Sequence, residues 1–391
     1  MRDTILLTGA TGALGRILLP RLAREGYSVY CLVRAKDRAE ANRRIRDIVG
    51  QNNRIKAIRG DITEPRCGIS DLDREQMMAR GIQRIFHCAA SISFQDKIAT
   101  HKANVDGARN VLELADLLDI WQFVHVSTAY AGGDARFFNE SQRASSIQFR
   151  PRNEYEATKQ LGEAMVRAWA LAREERRLMI FRPSILIGCA DGTSPTFDAY
   201  YGYFKPIHRI AEGMRKHKRQ GKSLPADVHV QGDWVNIPLV LQASEAATLN
   251  LIPIDWNGYT MVQLLGAYPH FDTYHLVNPD PPLVRWVIDT SMAYLKVAGY
   301  HVVAAIEEKN ALLAKQDALT ARLQAQLDRV LDQYYPYTNH VVTFGMQRVQ
   351  EALGDSYVAP PKLDTAFMER LLSFALESNW GERQRILVPA E

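Results

Sequence analysis

The stretch Thr4-Ile5-Leu6-Leu7-Thr8-Gly9-Ala10-Thr11-Gly12-Ala13-Leu14-Gly15 decides the fold of this chain. Its apolar start reads as a short buried strand, and a glycine turn and the beginning of a helix follow. Gly9, Gly12 and Gly15 have the spacing G-x-x-G-x-x-G, and a residue without a Cβ lets the backbone turn sharply and approach a pyrophosphate. A helix over 14–24 then directs its N-terminal amides and the positive end of its dipole at that anion. The stretch therefore predicts a dinucleotide-binding turn.

Composition sets the outer limits of the interpretation. The chain has 391 residues, of which 47% are hydrophobic and 24% charged, so we expect a sizeable core in one large domain or two smaller ones. The net charge of +4 argues against a dedicated nucleic-acid binder.

Cysteine usage and hydropathy bear on the compartment. Four cysteines are scattered without C-x-x-C spacing, which favours reduced thiols over a disulfide framework or a metal site. Residues 1–3 lead straight into the first strand, which leaves no room for a signal peptide, and no apolar run approaches the roughly 20 residues of a membrane span. We therefore expect a cytoplasmic protein without a membrane span.

Strand-like and helix-like stretches alternate through the first half of the chain. This order is typical of a parallel sheet with helices on both faces, a Rossmann-type doubly wound α/β fold that binds ligands at the carboxyl ends of its strands. The predicted strands are 28–33, 54–58, 84–88, 122–126, 178–181 and, later in the chain, 273–277. The predicted helices are 37–49, 103–118 and 155–173.

The end of the second strand bears on the choice of cofactor. An NAD site usually has an acidic residue here, whereas this chain has Arg34, with Lys36, Arg43 and Arg44 nearby. A guanidinium suits the 2′-phosphate of NADP in charge and in its forked donors. The alternative is a solvated basic helix start, and we favour NADP because the preceding motif fixes the position of Arg34.

Two further strand ends offer cofactor contacts. Asp61 closes the third strand and is interpreted either as a partner of the adenine or as a plain turn residue. At the end of the fourth strand, the small residues Ala89, Ala90 and Ser91 leave room for the cofactor to cross the sheet. His87 lies in an apolar stretch, and we interpret it as a packed core histidine, not as a base or a metal ligand.

A tyrosine and a lysine are the catalytic candidates. Tyr155 and Lys159 stand at i and i+4, one above the other on a helix face. A lysine ammonium near a phenol favours the phenolate and is expected to lower the pKa of the tyrosine, which suits it to proton transfer. The fifth strand ends in Ser127 and Thr128, where a hydroxyl can orient a substrate carbonyl.

These motifs, in this order, resemble an extended short-chain dehydrogenase/reductase. Within that superfamily the chain is most similar to fatty acyl-CoA reductases and to the thioester reductase domains of carboxylic acid reductases and non-ribosomal peptide synthetases. The resemblance rests on 8–15, 31–35, 60–62, 87–94, 104–111, 123–130, 153–159 and 181–185.

The resemblance implies roles for the matching residues. Thr128, with Ser127 as the alternative, polarises the carbonyl; Tyr155 gives the proton to the developing alkoxide; and Lys159 holds the nicotinamide ribose. Asn104 either supports Lys159 through a proton relay or caps a helix. The cofactor-binding set is Thr8, Gly9, Thr11, Gly12, Ala13, Leu14, Gly15, Arg34, Arg44, Asp61, Ile62, Ala89, Ala90, Ser91, Asn104, Ser127, Tyr155, Lys159, Pro183, Ser184 and Ile185.

The second half divides into a substrate-binding insertion and a helical region. We predict a cofactor domain over 1–188 to which 234–278 returns, an insertion over 189–233, and a helical substrate cap over 279–391. The insertion carries aromatic residues that suit an acyl chain or form an ordinary core: Phe197, Tyr200, Tyr201, Tyr203 and Phe204. The basic run 209–222 suits the phosphates of coenzyme A, an acidic carrier protein or plain solvent. The leucine stripe in 304–334 predicts half of a helical hairpin or a coiled coil that makes a homodimer.

The predicted activity is NADPH-dependent reduction of an acyl thioester, carried by coenzyme A or an acyl carrier protein, to an aldehyde; the motifs leave open a second reduction to the alcohol. The alternatives are a ketone or aldehyde reductase, a nucleotide-sugar epimerase or dehydratase, and a non-catalytic NADP-binding protein. Arg34 argues against the epimerase, and the set of Thr128, Tyr155 and Lys159 argues against the non-catalytic protein.

Overall fold

Seven parallel strands form the main sheet of the computed structural model, which describes residues 3–145, 147–267 and 272–383. The strands are β1 (Thr4–Thr8), β2 (Ser28–Val33), β3 (Ile55–Arg59), β4 (Arg84–His87), β5 (Gln122–Val126), β6 (Phe137–Phe138), β7 (Arg177–Pro183), β8 (Ile185–Ile187), β9 (His229–Gln231), β10 (Trp234–Asn236), β11 (Val240–Gln242), β12 (Leu251–Pro253), β13 (Thr273–Leu276), β14 (Val297–Ala298), β15 (His301–Val303) and β16 (Thr343–Phe344). The helices are α1 (Ala13–Arg24), α2 (Arg38–Val49), α3 (Asp71–Arg80), α4 (Lys97–His101), α5 (Gly107–Leu117), α6 (Glu154–Leu171), α7 (Tyr200–Arg219), α8 (Ile254–Gly266), α9 (Val284–Tyr294), α10 (Ile306–Leu313), α11 (Ala318–Leu331), α12 (Tyr335–Thr338), α13 (Gln347–Leu353) and α14 (Thr365–Glu377).

The order of the main sheet is β13-β7-β5-β4-β1-β2-β3. Its strand order reverses between β1 and β4, and that reversal creates the crevice in which doubly wound sheets bind ligands. The predicted Rossmann-type fold is confirmed, and β2 and β5 have the predicted bounds.

Alternating side chains of β1 pack on the two faces of the main sheet. Ile5 and Leu7 belong to a core with α1 and α8, whereas Leu6 belongs to the core on the opposite face with α5. Such an apolar run needs helices on both sides, because a strand directs successive side chains to opposite faces.

A third core holds the substrate part together. It joins aromatic residues of α7 to apolar residues of α9, α11 and α14. Residues 234–242 pair with β14 and β15 in small sheets, so the predicted return to the main sheet is made by β13 alone. The division at 188, 233 and 278 stays a prediction, and residues 268–271 and 384–391 of its segments lie outside the described residues.

The region after residue 281 is helical with interruptions. The predicted helical C-terminal region is confirmed, and three short strands interrupt it: β14, β15 and β16 pair with β10, β11 and β6 of earlier segments. The stretch 304–334 is two helices, since Asp317 caps α11, and Lys309 of α10 donates to Asp328 of α11 at 2.9 Å. The stretch therefore folds back on itself as a hairpin. Across the described part of the chain, none of the helices has the length and apolar character needed to cross a bilayer.

Candidate active site

The glycine turn fits a backbone that must approach a ligand closely. Gly9 has a φ of +76°, and a Cβ there would lie 2.7 Å from the backbone nitrogen of Ala89. A Cβ on Gly15 would lie 2.1 Å from the carbonyl oxygen of Gly9. Gly12 precedes α1 and provides no side-chain cap, so the amides of the first helical turn stay available to an anion.

Three arginines surround the place where the adenosine end of a dinucleotide is expected. Arg34 and Arg44 both line the cavity, and Arg44 donates to the Arg34 carbonyl at 2.5 Å and to the Thr11 hydroxyl at 3.0 Å. Arg16, which the sequence analysis missed, also lines the cavity and donates to the Thr11 carbonyl at 3.0 Å. Burial, and next the charge of Arg44, lowers the pKa of Arg16. Its position directly after Gly15 is the signal that would have revealed it.

A single cavity of about 1370 Å³ brings most of the predicted residues together. Its wall contains Gly9, Thr11, Gly12, Ala13, Leu14, Gly15, Arg34, Arg44, Asp61, Ile62, Ala89, Ala90, Ser91, Ser127, Thr128, Tyr155, Lys159, Pro183, Ser184 and Ile185. This volume exceeds the roughly 300–1,000 Å³ of usual ligand pockets, which leaves room for a dinucleotide and a second ligand. Asp61 accepts from the amide and hydroxyl of Thr63, each at 2.9 Å, so its carboxylate also stabilises a turn.

Two predicted cofactor residues, Thr8 and Asn104, are absent from this wall among the residues that the structure describes. The Thr8 hydroxyl bonds to His87 Nδ1 at 2.8 Å, because the ends of β1 and β4 lie side by side. Asn104 accepts from the Ser91 amide at 2.7 Å and donates to Thr158 Oγ1 at 3.0 Å. Both side chains therefore support the cavity from behind. Asn104 lies within a helical turn and caps no helix, and its part in a proton relay stays a prediction.

The catalytic candidates are fixed by the start of α6. Asn153 caps the helix by accepting from the Glu156 amide at 3.0 Å, so Tyr155 lies in the first turn and Lys159 one turn later. The Lys159 ammonium lies 5.9 Å from the centre of the Tyr155 ring and donates to the Val126 carbonyl at 2.9 Å. Both side chains line the same cavity.

Thr128 stands at the end of β5 beside the tyrosine. Its hydroxyl accepts from the Tyr130 amide at 3.2 Å and lies 3.4 Å from the Pro183 carbonyl. Burial raises the pKa of Tyr155 to about 12, although a hydrogen bond with Thr128 lowers it. Burial also lowers the pKa of Lys159 to about 8. The expectation that Lys159 lowers the pKa of Tyr155 is not met in this structure, because burial dominates and the ammonium is directed to Val126.

The two histidines beneath the site are packed core residues. His87 and His125 stack with ring centres 5.6 Å apart, and each is 2% exposed. Burial, and next the charge of Lys159, lowers the pKa of His87 to about 3 and that of His125 well below its usual value. Both rings are therefore neutral at physiological pH. The interpretation of His87 as a core histidine is confirmed.

An aromatic wall completes the cavity on the side of α7. Of the aromatic residues predicted there, Tyr200, Tyr203 and Phe204 line the cavity, whereas Phe197 and Tyr201 pack behind them. α9 and the segment around α12 supply the rest of the wall, which sequence reasoning missed: Val284, Val287, Ile288, Tyr334 and Tyr337. Aromatic and aliphatic side chains dominate this part of the wall, and Thr196, Asp198, Gln333 and Thr338 add polar groups to it.

The basic end of α7 lies away from this wall. From Tyr203 to the last residue of the helix, the rise of about 1.5 Å per residue gives about 24 Å. Arg215 is buried and donates to the Leu295 and Asp233 carbonyls at 2.7 and 2.8 Å, which is a structural role. Arg209 pairs with Glu382. Lys216, Lys218, Arg219 and Lys222 are exposed, and the contact of 209–222 with coenzyme A or a carrier protein stays a prediction.

The geometry agrees with a comparison to known families. The model of the male sterility protein family of NAD-binding domains matches residues 7–255. The chain belongs to this family. The predicted membership of the extended short-chain dehydrogenases/reductases is confirmed, and the cofactor of this male sterility family is a nicotinamide dinucleotide.

Two individual proteins show which members of the family the chain is similar to in sequence. It is 34% identical to fatty acyl-CoA reductase 1 of Mus musculus over 154 residues, which are 35% of this chain and 30% of that protein. It is 30% identical to the hybrid PKS-NRPS synthetase pvhA of Talaromyces variabilis over 346 residues, or 82% of this chain and 8% of the synthetase. The chain thus spans less than a third of the length of these curated relatives.

Solved structures share the fold over nearly the whole chain. The terminal R domain from the myxalamid PKS-NRPS pathway has a TM-score of 0.75 and 26% identity, with 97% of this chain and 91% of that domain covered. A UDP-galactose 4-epimerase has a TM-score of 0.58 and 14% identity, and the match covers 96% of this chain and 100% of the epimerase chain. The second likeness shows the fold alone.

Proposed function

We propose that the protein is an NADPH-dependent reductase of acyl thioesters that releases an aldehyde. One observation carries the proposal: Thr128, Tyr155 and Lys159 share a cavity with the glycine turn at one end and an aromatic wall at the other. The family relatives named above, a fatty acyl-CoA reductase and a terminal R domain, support this choice of substrate class.

The choice of NADPH rests on the three arginines. Arg16, Arg34 and Arg44 lie along one part of the cavity wall, where a 2′-phosphate would meet three positive charges. Guanidinium groups bind phosphate with paired donors, and no such charge is needed for the free hydroxyl of NAD. The dinucleotide supplies a hydride to the substrate carbonyl.

The hydroxyl groups of Thr128 and Tyr155 bind the carbonyl oxygen. As negative charge develops on that oxygen, Tyr155 transfers its proton to it, and the high pKa of the phenol favours a neutral, proton-bearing side chain at pH 7. Lys159 is buried beside the phenol, with its ammonium 5.9 Å from the ring centre, and holds the nicotinamide ribose in this proposal. The resulting hemithioacetal loses its hydroxyl proton as the carbon–sulfur bond breaks, which gives an aldehyde and a thiol.

The apolar wall from Tyr200 to Phe204 and along α9 suits the acyl chain of such a substrate. Arg34, at the end of β2 where an NAD site usually has an acidic residue, argues against the epimerase alternative. The source of the thiol, coenzyme A or a carrier protein, is decided by the assay below.

The test is NADPH oxidation by the purified protein with a panel of acyl-CoA and acyl-carrier thioesters, with products analysed by mass spectrometry. We expect thioester-dependent oxidation that yields an aldehyde or its alcohol. Tyr155→Phe should lower kcat about 10²–10⁴-fold, the range of general acid catalysis. Tyr300→Phe is the matched control, because its hydroxyl bonds Asp289 away from the cavity. Turnover of aldehydes or ketones alone would contradict the proposal.

A further inference from the structure

Phe94 is in ring contact with the catalytic tyrosine. It lies between β4 and α4 and lines the cavity. Its ring centre is 5.8 Å from that of Tyr155, 5.6 Å from that of Tyr337 and 6.4 Å from that of Tyr334. The rings of Phe94 and Tyr337 are stacked at 17°. Phe94 thus contacts both the ring of the catalytic tyrosine and two aromatic rings of the C-terminal region.

The backbone on both sides of Phe94 is held in place. Asn104 makes two hydrogen bonds with Ser91: it accepts from the Ser91 amide at 2.7 Å and donates to the Ser91 carbonyl at 3.0 Å. Thr100 donates to the Ser93 carbonyl at 3.0 Å, and the Ser93 hydroxyl accepts from the Asp96 amide at 3.1 Å. The side chain of Asn104, behind the cavity wall, thus fixes the loop that carries the phenyl ring.

Tyr337, the ring stacked on Phe94, is also held in place. Tyr337 is 7% exposed and accepts a hydrogen bond from Asn153 at 2.8 Å, and its ring covers the guanidinium of Arg152 at 4.5 Å. A substituent pressed against the phenyl would have to displace this arrangement. Phe94 is therefore backed by a ring that is held in place, and an extra methyl group pressed against the phenyl is unfavourable.

We propose that Phe94 is a specificity-determining residue that excludes carbonyl substrates branched at the carbon next to the carbonyl. This rests on the proposed function, in which Thr128 and Tyr155 hold the carbonyl oxygen. With the oxygen bound there, the first carbon of the acyl chain passes beside the Tyr155 ring, where Phe94 lies. A straight chain presents only hydrogens to the phenyl face, whereas a branched chain presents a methyl group.

The experiment compares kcat/KM for hexanoyl and 2-methylhexanoyl thioesters of coenzyme A, and for the two corresponding aldehydes. One methyl group in an apolar pocket changes kcat/KM by about 10–200-fold. We expect the native protein to prefer the straight chain by at least roughly 10-fold, and Phe94→Ala to reduce this ratio to about 3-fold or less. Phe94→Leu should give an intermediate ratio. Phe197→Ala is the matched control, because that ring packs on Tyr201 and Phe374 behind the wall and its loss should leave the ratio unchanged.

The selectivity ratio is insensitive to a loss of folded enzyme, so a destabilised variant still gives an answer. A native protein that uses both chains equally, or a ratio that Phe94→Ala and Phe94→Leu leave unchanged, would overturn the inference. If only the aldehydes react, the proposed thioester reduction fails while the aldehyde ratio still decides the role of Phe94. A native protein that turns over neither class would overturn both.

Discussion

The ion pair between Arg152 and Glu156 leads to a quantitative prediction about stability. Glu156 is fully buried, and Arg152 donates to its two oxygens at distances of 2.7 to 3.3 Å. The guanidinium lies between the rings of Tyr130 and Tyr337, with its carbon 5.2 and 4.5 Å from their centres. It also lies 3.3 Å from the Pro336 carbonyl. One side chain thus joins the turn after Thr128, the catalytic helix and the C-terminal region.

Arg152→Ala leaves the carboxylate of Glu156 buried without its charged partner, and only the backbone amide of residue 152 still donates to it, at 2.8 Å. Breaking a buried pair in this way costs about 3–5 kcal/mol, because the remaining charge stays desolvated. An exposed pair is worth about 0.2–1 kcal/mol. We therefore expect the free energy of unfolding to fall by about 4 kcal/mol for Arg152→Ala. Removal of Arg285, whose pair with Asp289 is about half exposed, should cost less than about 1 kcal/mol.

The assay is urea unfolding followed by tryptophan fluorescence. The double variant Arg152→Met, Glu156→Leu replaces the pair by apolar side chains of similar size and should recover most of the loss, since buried pairs are often no better than such replacements. A cost for Arg152→Ala close to that for Arg285→Ala would refute the reasoning. So would a double variant as unstable as the single one, because the loss would then not come from an unpaired charge.

Three further predictions concern the cofactor end of the cavity. Arg34→Ala should weaken NADPH binding roughly 10- to 100-fold, as expected for one charged hydrogen bond, and leave NADH binding unchanged in a fluorescence titration; equal weakening of both would contradict the 2′-phosphate contact. Because burial lowers the pKa of Lys159 to about 8 from 10.5, the unfolded state binds more protons between these pH values, and the free energy of unfolding contributed by Lys159 rises with pH across the window. Lys159→Met should remove that rise from a thermal unfolding series, and an unchanged slope would refute it. Gly15→Ala should abolish cofactor binding because its Cβ would lie 2.1 Å from the Gly9 carbonyl oxygen, whereas Gly213→Ala, whose Cβ would meet no atom within 4 Å beyond its own helix backbone, should leave binding unchanged.

Local patterns explain what the sequence could predict. The glycine turn, the apolar strands around it and the i, i+4 pair of Tyr155 and Lys159 each depend on residues close in sequence, and all were placed correctly. Arg16 could have been found in the same way. By contrast, α8 was missed because it is buried on most sides, so its faces differ little in polarity and no helical pattern of apolar residues is visible in the sequence.

Contacts between distant segments could not be predicted. Strands of two or three residues, such as β14 and β16, are too short to show a period of two, and their partners lie elsewhere in the chain. The role of Asn104 follows from Ser91 and Thr158, which no local pattern connects to it. The pKa of Tyr155 depends mainly on burial by the surrounding wall, so the direction of its shift could not be predicted from the lysine one turn away.

The bond from Asn153 to Tyr337 ties together positions that are 184 residues apart. A ribosome adds about 5–20 residues per second, so Tyr337 is synthesised about 10–40 seconds after Asn153, the residue at the start of the catalytic helix to which it is bonded. During synthesis the last residues predicted to hold the dinucleotide, 183–185, emerge about 150 residues before Tyr334 and Tyr337 of the aromatic wall. Nascent chains of this protein are therefore expected to acquire the dinucleotide site well before they acquire the substrate site.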